Sequence, residues 1–201
     1  MQSYLMPAKK QRFELEIKRS RFITTLDQAE NRPRAKAIIQ SIRAEYPDAS
    51  HHCWAMLTGE PQDHTGMDQS DDGEPRGTAG KPILNVLQHS GIGQCVIVVT
   101  RYFGGIKLGA GGLVRAYTKC ASEALLQLES VEFIPRMSLQ IETPFNLLAS
   151  IEHWFEQTEI VVNSKEFTEQ VRLEISVPNS LHEALLLKFN EIGNGKISVK
   201  E

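Results

Sequence analysis

The chain has 201 residues, of which 41% are hydrophobic and 23% are charged, and these proportions are ordinary for a globular protein. The length allows one large domain or two small ones, and the formal net charge of −3 excludes a polycation that binds nucleic acid over its whole surface. The charge is uneven, because residues 131–201 hold 11 acidic and 6 basic residues and leave 14 acidic and 16 basic residues on the first part. An anionic partner is therefore expected to meet residues 1–130.

Cysteine usage and hydropathy indicate the compartment. Cys53, Cys95 and Cys120 are odd in number, widely spaced and flanked by apolar residues, which is typical of buried thiols in a reducing compartment. The first residues contain no apolar segment of signal length, and no span approaches the length of a membrane helix. We therefore expect a cytoplasmic protein that makes no membrane contact.

Hydrophobic periodicity predicts an α+β protein. The predicted elements of the first part are, in chain order, a strand at residues 13–17, a break at Ser20, a strand at 21–26, a helix at 32–46, a strand at 51–58, a long polar loop at 59–80, a short helix at 82–89, a strand at 95–100 and a helix from Gly112. The last helix has one apolar face, formed by Leu113, Tyr117, Cys120, Ala124 and Leu128.

The long polar loop contains the string SDDGEPRGTAGKP. Its carboxylates are Asp71, Asp72 and Glu74, and its flanking cations are Arg76 and Lys81. Such carboxylates could hold a divalent cation or serve as acid and base. Asp, Gly and Pro also favour tight turns on their own, and no second carboxylate cluster completes a metal cage, so we favour a turn over a metal site. The two cations could extend the basic surface described below.

The stretch HHCWAM carries the other candidates for chemistry. His51 and His52 could act as general bases, but the spacing identifies no partner nucleophile, and we interpret both as structural or surface residues. Adjacent strand residues point to opposite faces, so the two histidines and Cys53 cannot easily hold one metal ion. Ser70 lies in no GxSxG motif, and Cys53 has no activating context. The sequence therefore nominates no catalytic residue, no metal site and no cofactor.

The densest run of glycines lies between Gly91 and Cys120, which contains seven of the chain's fourteen. A strand that continues through glycines into a helix start lets another molecule approach the backbone closely. The glycines that we assign to such a site are Gly104, Gly105, Gly109, Gly111 and Gly112.

The charges around this helix start predict an anion. No acidic residue occurs from Gly104 to Lys119, although a helix amino terminus normally favours Asp or Glu. The segment instead carries three cations, Lys107, Arg115 and Lys119, and Arg101 precedes it at the end of the strand. A phosphate group or a nucleic-acid backbone would relieve their mutual repulsion, so we predict a site for one of these. The alternative is a tight turn whose glycines serve packing and whose cations are merely solvated.

The strings VVTRYFGGIKLGAGGLVRAY, HHCWAM and SDDGEPRGTAGKP closely resemble the signature of the IMPACT family in its bacterial, YigZ-like type. The resemblance implies that residues 1–132 share the fold of the second domain of ribosomal protein S5. It also implies that residues 133–201 form a ferredoxin-like domain similar to the last domain of elongation factor G. Relatives of both domains work on ribosomes or RNA, which implies a broad link to translation.

Eukaryotic members of the family resemble this chain only over the first domain. They restrain a stress-activated kinase through an additional amino-terminal domain, which we expect this chain to lack. Kinase regulation is therefore not carried over to this protein.

The pattern of the second domain has the order βαββαβ of a ferredoxin-like domain. The predicted elements are a strand with Met137, Leu139 and Ile141, a helix from Pro144, strands at 160–162 and 171–177, a helix capped by Asn179, and a strand at 197–199. The sheet face away from the helices is predicted to be polar and acidic, without the aromatic residues on which RNA-recognition modules stack bases. We therefore expect this domain to contact a protein partner or to serve as a scaffold.

Two classes of function are open from the sequence. The preferred one is a non-enzymatic protein that binds RNA, ribosome-associated factors or another phosphate-bearing partner through the basic glycine-rich segment. The alternative is an enzyme that orients a small phosphorylated or amino-acid-derived substrate there. In that case His52, or the loop carboxylates, would supply the acid–base chemistry. A pure scaffold for protein partners is a further alternative.

Overall fold

A computed structural model describes residues 3–200 and places them in two compact units that adjoin in sequence at Phe133 and Ile134. The strands of the first unit are β1 (Tyr4–Pro7), β2 (Gln11–Ile17), β3 (Ser20–Gln28), β4 (His51–Leu57), β5 (Met67–Ser70), β6 (Cys95–Tyr102) and β7 (Ser130–Phe133). Its helices are α1 (Arg32–Glu45), α2 (Gly80–Gln88) and α3 (Ala110–Leu126). The α+β class predicted from the hydrophobic pattern is confirmed.

Five strands of the first unit form an antiparallel sheet in the order β2-β3-β6-β4-β5, while β1 pairs with β7. Helices cover both faces of this sheet. The helices α2 and α3 pack on the face that carries Ala55 and Val99, and α1 packs on the face that carries Met56 and Val98. Because the central strand β6 is buried on both faces, its apolar run is continuous and does not alternate.

The helix α3 follows the glycine-rich turn and begins at Ala110, two residues before the predicted start. Its amino-terminal cap is Gly109, whose φ of 72° lies in the left-handed region that favours glycine. The predicted apolar face is buried from Leu113 to Ala124, and the opposite side faces solvent. With 17 residues, α3 is the longest helix among the described residues, and none of their helices is long and apolar enough to cross a membrane.

The turn between β2 and β3 lies at Lys18 and Arg19, so the predicted break at Ser20 is wrong. Both turn residues have left-handed backbones, with φ values of 48° and 65°, which is the geometry of a tight two-residue hairpin turn. Ser20 is instead the first residue of β3, where it pairs with Ile17 and is fully buried. Its hydroxyl is directed inward, to the end of β6.

The polar segment at residues 59–80 contains more structure than the sequence pattern predicted. A short 3-10 turn at His64–Gly66 precedes β5, which pairs with the end of β4. The strand β5 has the polar sequence MDQS and only four residues, so it lacks the alternation by which a strand is predicted. The helix α2 begins at Gly80, two residues before the predicted Pro82.

The second unit contains β8 (Arg136–Thr143), α4 (Phe145–Glu156), β9 (Val161–Phe167), β10 (Val171–Pro178), α5 (His182–Gly193) and β11 (Ser198–Lys200). Its sheet has the order β11-β8-β10-β9 with every neighbour antiparallel, which is the ferredoxin-like arrangement. Both helices pack on one face of this sheet. The other face carries polar side chains, as predicted from Gln140, Arg172 and Glu174.

The predicted cap of the last helix is wrong. Asn179 lies in a 3-10 turn, and α5 begins after Leu181, which has no side chain that could cap the helix. The backbone N–H of Asn179 donates to the carbonyl of Pro135 at 2.9 Å, which ties this residue to the start of β8. This tertiary contact places Asn179 one turn too early to cap the helix.

Candidate nucleic-acid interface

Asp71 closes the polar loop ahead of α2. Its carboxylate accepts hydrogen bonds from the backbone N–H groups of Gly77, Ala79 and Gly80 at 2.7, 3.0 and 2.9 Å. Burial acts to raise the pKa of this carboxyl, but the three backbone donors and the charge of Arg76 outweigh it and hold the pKa below its ordinary value. Asp71 therefore forms the tight turn that the sequence favoured and caps the start of α2.

Replacing Asp71 by alanine is expected to lower the free energy of unfolding by about 2 kcal/mol, because three backbone donors lose a charged acceptor. The native pKa lies below the unfolded value of about 3.9, so the ionised carboxylate stabilises the fold above that value. This contribution is lost as the pH falls through the native pKa. Urea unfolding of both proteins should therefore show a difference that shrinks below about pH 4. A difference that does not change with pH would contradict this role.

Asp72 connects the loop to β4 and α1. Its carboxylate accepts a 2.6 Å hydrogen bond from the backbone N–H of His52 and forms an ion pair with Arg43 of α1. The backbone carbonyl of Asp72 lies 2.8 Å from His51 Nδ1, and because a carbonyl only accepts, this ring nitrogen is the donor. The loop is therefore anchored to the strand β4 and to the helix α1.

The three stretches that carry the family resemblance meet at Glu74, which belongs to SDDGEPRGTAGKP and contacts residues of the other two. Its carboxylate oxygen Oε1 accepts from Arg101 Nη1 at 2.5 Å and from the Tyr117 hydroxyl at 2.8 Å. The Cys53 thiol lies 3.3 Å from the same hydroxyl, and His51 Nε2 lies 4.0 Å from the carboxylate. The side chain of Glu74 is 4% exposed, so this is a buried ion pair with a phenol as its third member.

Arg101 was predicted to be one of the cations that bind an anion, and the structure places it elsewhere. It is 5% exposed, its charge is compensated by Glu74, and its Nη2 donates to the Ser20 hydroxyl at 3.2 Å. The guanidinium lies between the rings of Phe22 and Phe103, at 5.5 and 5.6 Å from their centroids. Sequence reasoning missed this pairing because the acid comes from the distant loop.

His52 and Cys53, two candidate groups near this pair, are buried. His52 is 6% exposed, its Nδ1 lies 3.1 Å from the Thr100 hydroxyl, and burial lowers its pKa, so the ring is neutral near pH 7. Burial raises the pKa of the Cys53 thiol to about 12, so it is protonated. In the part of the chain that the structure describes, no three His, Cys, Asp or Glu side chains are placed to hold a metal ion.

The other predicted cations lie on the surface. Lys107, Arg115 and Lys119 are exposed, and no carboxylate among residues 3–200 lies within 4.0 Å of their charged groups. The structure adds two cations that sequence reasoning missed, Lys18 and Arg19 in the turn between β2 and β3, which are also exposed and without such a partner. The signal available in the sequence was a pair of adjacent basic residues at the end of a predicted strand.

A groove of about 420 Å³ lies between this hairpin turn and the first turns of α3. We call it the basic groove, and its lining residues are Glu16, Ile17, Lys18, Leu108, Gly112, Arg115, Ala116 and Lys119. Three cations and one acid line it, so its charge is positive. The sheet order brings the two segments together, because β3 pairs with β6 and α3 follows β6.

The glycines of the turn have two different roles. A Cβ on Gly104 would lie 1.8 Å from the carbonyl oxygen of Arg19, so this glycine lets the hairpin turn pack against the chain. A Cβ on Gly105 or Gly109 would meet nothing within 4 Å, and both have left-handed φ values. Gly112 packs on Leu108, whereas Gly111 has only the end of the Arg115 side chain near it. Tight packing and an open backbone therefore both occur in this turn.

The two cations that flank the polar loop are also exposed. Lys81 lines a shallow groove of about 340 Å³ between α2 and α3, together with Gly77, Val114 and Thr118. This groove shares no lining residue with the basic groove, so Lys81 does not line the basic groove. Arg76 lies in the preceding turn, where it contributes to the low pKa of Asp71.

Two family models match the chain. The model described as the Impact N-terminal domain matches residues 18–125, which contain the Glu74–Arg101 pair and most of the basic groove. A model described as a domain of unknown function (DUF1949) matches residues 141–196, which lie in the ferredoxin-like unit. The two matches fall in the two compact units of the fold.

Similarity to bacterial proteins extends over the whole chain. An IMPACT family member of Haemophilus influenzae is 38% identical, with 100% of this chain and 97% of the relative covered. The IMPACT family member YigZ of Escherichia coli is 39% identical, with 99% and 98% covered. A crystal structure of a hypothetical protein shares 39% identity and a TM-score of 0.71, over 99% of this chain and 97% of its own. The protein whose buried ion pair and basic groove are described above therefore belongs to the IMPACT family.

Proposed function

We propose that this protein is a non-enzymatic binding protein that holds RNA, or another partner with phosphate groups, in the basic groove and takes part in translation or its regulation. The observation that carries the proposal is the cluster formed by Lys18, Arg115 and Lys119 beside the amino-terminal end of α3. These three cations outnumber the one acid of the groove, Glu16, so its potential is positive, and the partial positive charge of the helix terminus adds to it. Such a positive surface favours an anionic partner.

The extent of the positive surface supports a polymer as the partner. Arg19 lies next to Lys18 in the hairpin turn, and Lys107 lies in the turn before α3, so exposed cations continue beyond the groove. A single small phosphate would contact few of them. A nucleic-acid strand places phosphates at regular intervals and can contact several cations at once.

The engagement of the loop residues supports binding over the enzymatic alternative. Asp71 and Asp72 accept hydrogen bonds from backbone N–H groups, and Glu74 is bonded to an arginine and a tyrosine. His52 is buried and bonded to a threonine hydroxyl. Each of these candidate acids and bases thus has a structural partner, and Glu74 and His52 are buried as well.

The second unit supports a contact with a protein partner. Its open sheet face forms a groove of about 370 Å³ whose charged lining side chains are Glu142, Glu166, Arg172, Glu174 and Lys200. Charges of both signs occur there, which suits a protein surface better than a polyanion. RNA binding is therefore assigned to the first unit alone.

The proposal is tested by the double variant Arg115→Ala, Lys119→Ala in RNA-binding titrations across a salt series. We expect the affinity for single-stranded RNA to fall at least about tenfold at low salt, and the salt slope to decrease by about 1.4, because each lost phosphate contact lowers it by about 0.7. The matched control is Arg34→Ala with Lys36→Ala. These cations of α1 are exposed and unpaired among the described residues, and they lie on the opposite face of the sheet.

Equal losses in the two double variants would mean that binding follows net charge and not the basic groove. An absence of RNA binding by the unmodified protein at low salt would reject the proposal. Both double variants change the net charge equally, so only the position of the cations distinguishes them.

A further inference from the structure

Phe103 is an exposed aromatic residue at the end of β6. It is 49% exposed, whereas Phe22 and Tyr117, two other aromatic residues at this end of the sheet, are fully buried. The two positions after Phe103 are glycines, so no side chain there covers the ring. Ile106 in the same turn is also 39% exposed, so this turn presents two large apolar side chains to solvent.

The ring of Phe103 is held in place from within the unit. The guanidinium carbon of Arg101 lies 5.6 Å from the ring centroid, and that guanidinium is bonded in turn to Glu74 and Ser20. The backbone N–H of Phe103 donates to the Ser50 hydroxyl at 3.1 Å. A ring that is already held loses little conformational entropy when a ligand stacks on it. The buried ion pair therefore fixes the position of the Phe103 ring, which favours stacking on a planar group.

The ring and the unpaired cations belong to one surface. Gly104 follows Phe103 directly and lies against the carbonyl of Arg19, where a Cβ would be only 1.8 Å away. The residue next to Phe103 in the chain therefore contacts the hairpin turn that carries Lys18. Lys107 lies four residues after Phe103, in the turn that precedes α3.

We propose that Phe103 stacks on an unpaired base of single-stranded RNA whose phosphates lie along the basic groove, an inference that rests on the proposed function. Cationic grooves combined with exposed aromatic rings are how proteins hold single strands, because every base has a face on which a ring can stack. In a duplex the bases are stacked on one another and are not available to a side chain at a turn. A small phosphate has no ring. The occupant is therefore a single strand.

The test compares Phe103→Leu, which keeps an apolar side chain but removes the aromatic face, with Phe103→Trp, which enlarges that face. The probe is a single-stranded RNA of about 12 nucleotides with 2-aminopurine at internal positions. We expect Phe103→Leu to bind about tenfold more weakly, with an unchanged salt slope and without the fluorescence quenching that stacking causes. The variant Phe103→Trp should bind at least as tightly as the unmodified protein. The matched control is Phe145→Leu, since Phe145 is 53% exposed but lies in the second unit.

Full affinity and full quenching in Phe103→Leu overturn the stacking inference, as does equal binding of the single strand and its duplex. The proposed function still stands in those cases if Arg115→Ala with Lys119→Ala lowers the salt slope. A lack of RNA binding by the unmodified protein at low salt overturns both. These outcomes separate the failure of stacking from the failure of phosphate binding.

Discussion

The variant Glu74→Ala is expected to lower the free energy of unfolding by about 4 kcal/mol, because it leaves the buried guanidinium of Arg101 without its counter-charge. Arg101 is 5% exposed, so water cannot replace the lost carboxylate, and its Nε already has no hydrogen-bond partner among residues 3–200. The Tyr117 hydroxyl would also lose the carboxylate to which it donates. Urea unfolding followed by circular dichroism measures the loss as a lower midpoint at an unchanged slope.

The exposed pair of Glu14 and Arg21 provides the control. Its side chains are 54% and 55% exposed, so Glu14→Ala is expected to cost less than about 1 kcal/mol. The double variant Glu74→Leu, Arg101→Met removes both buried charges and is expected to recover much of the stability, because no charge is then left unpaired. A loss below about 1 kcal/mol for Glu74→Ala would contradict this account, since it would mean that the buried guanidinium does not depend on the Glu74 carboxylate.

The variant Gly104→Ala is expected to lower the free energy of unfolding by about 3 kcal/mol and to weaken RNA binding as well. The added methyl group would lie 1.8 Å from the carbonyl oxygen of Arg19, and the neighbouring atoms are backbone, so relief requires a shift of the hairpin turn. That shift moves Lys18 away from the basic groove. Thermal unfolding and the RNA titration measure the two effects on one protein.

Gly111→Ala is the matched glycine control. Gly111 lies within α3, and a Cβ there would meet only the end of the Arg115 side chain at the ordinary distance of 3.7 Å. Alanine is the better helix former by about 0.5–1 kcal/mol, so stability should stay the same or rise. Equal stabilities of Gly104→Ala and Gly111→Ala would contradict the packing role assigned to Gly104.

The stretches by which the family is recognised have different physical roles in this chain. HHCWAM and the polar loop supply a histidine, a thiol and three carboxylates that anchor the loop to the sheet and to α2. The segment formed by β6, the glycine-rich turn and α3 supplies Arg101 to the buried pair. It also carries the exposed Lys107, Arg115 and Lys119. The first two stretches thus stabilise the fold, and the third stretch leads into the helix that carries the exposed cations.

Elements with strong local patterns were predicted well from the sequence. The strand β6 is an apolar β-branched run and α3 has a stripe of apolar residues at helical spacing, and both were found within two residues of their predicted ends. The strands β1, β5 and β7 have only four residues each, which is too short for a periodic signal. They form because neighbouring strands offer unpaired backbone groups, which is a tertiary cause.

The sequence by itself determined the α+β class, the ferredoxin-like order of the second unit and the positive character of the glycine-rich helix start, because each depends on local spacing or composition. Only the tertiary structure decided which cations remain free. Glu74 and Arg101 are 27 positions apart, and the folding of the loop onto β4 and β6 joins them. Pairing of β3 with β6 brings Lys18 beside α3. Contacts between residues distant in sequence have no local signature, since they arise from the order of strands in the sheet.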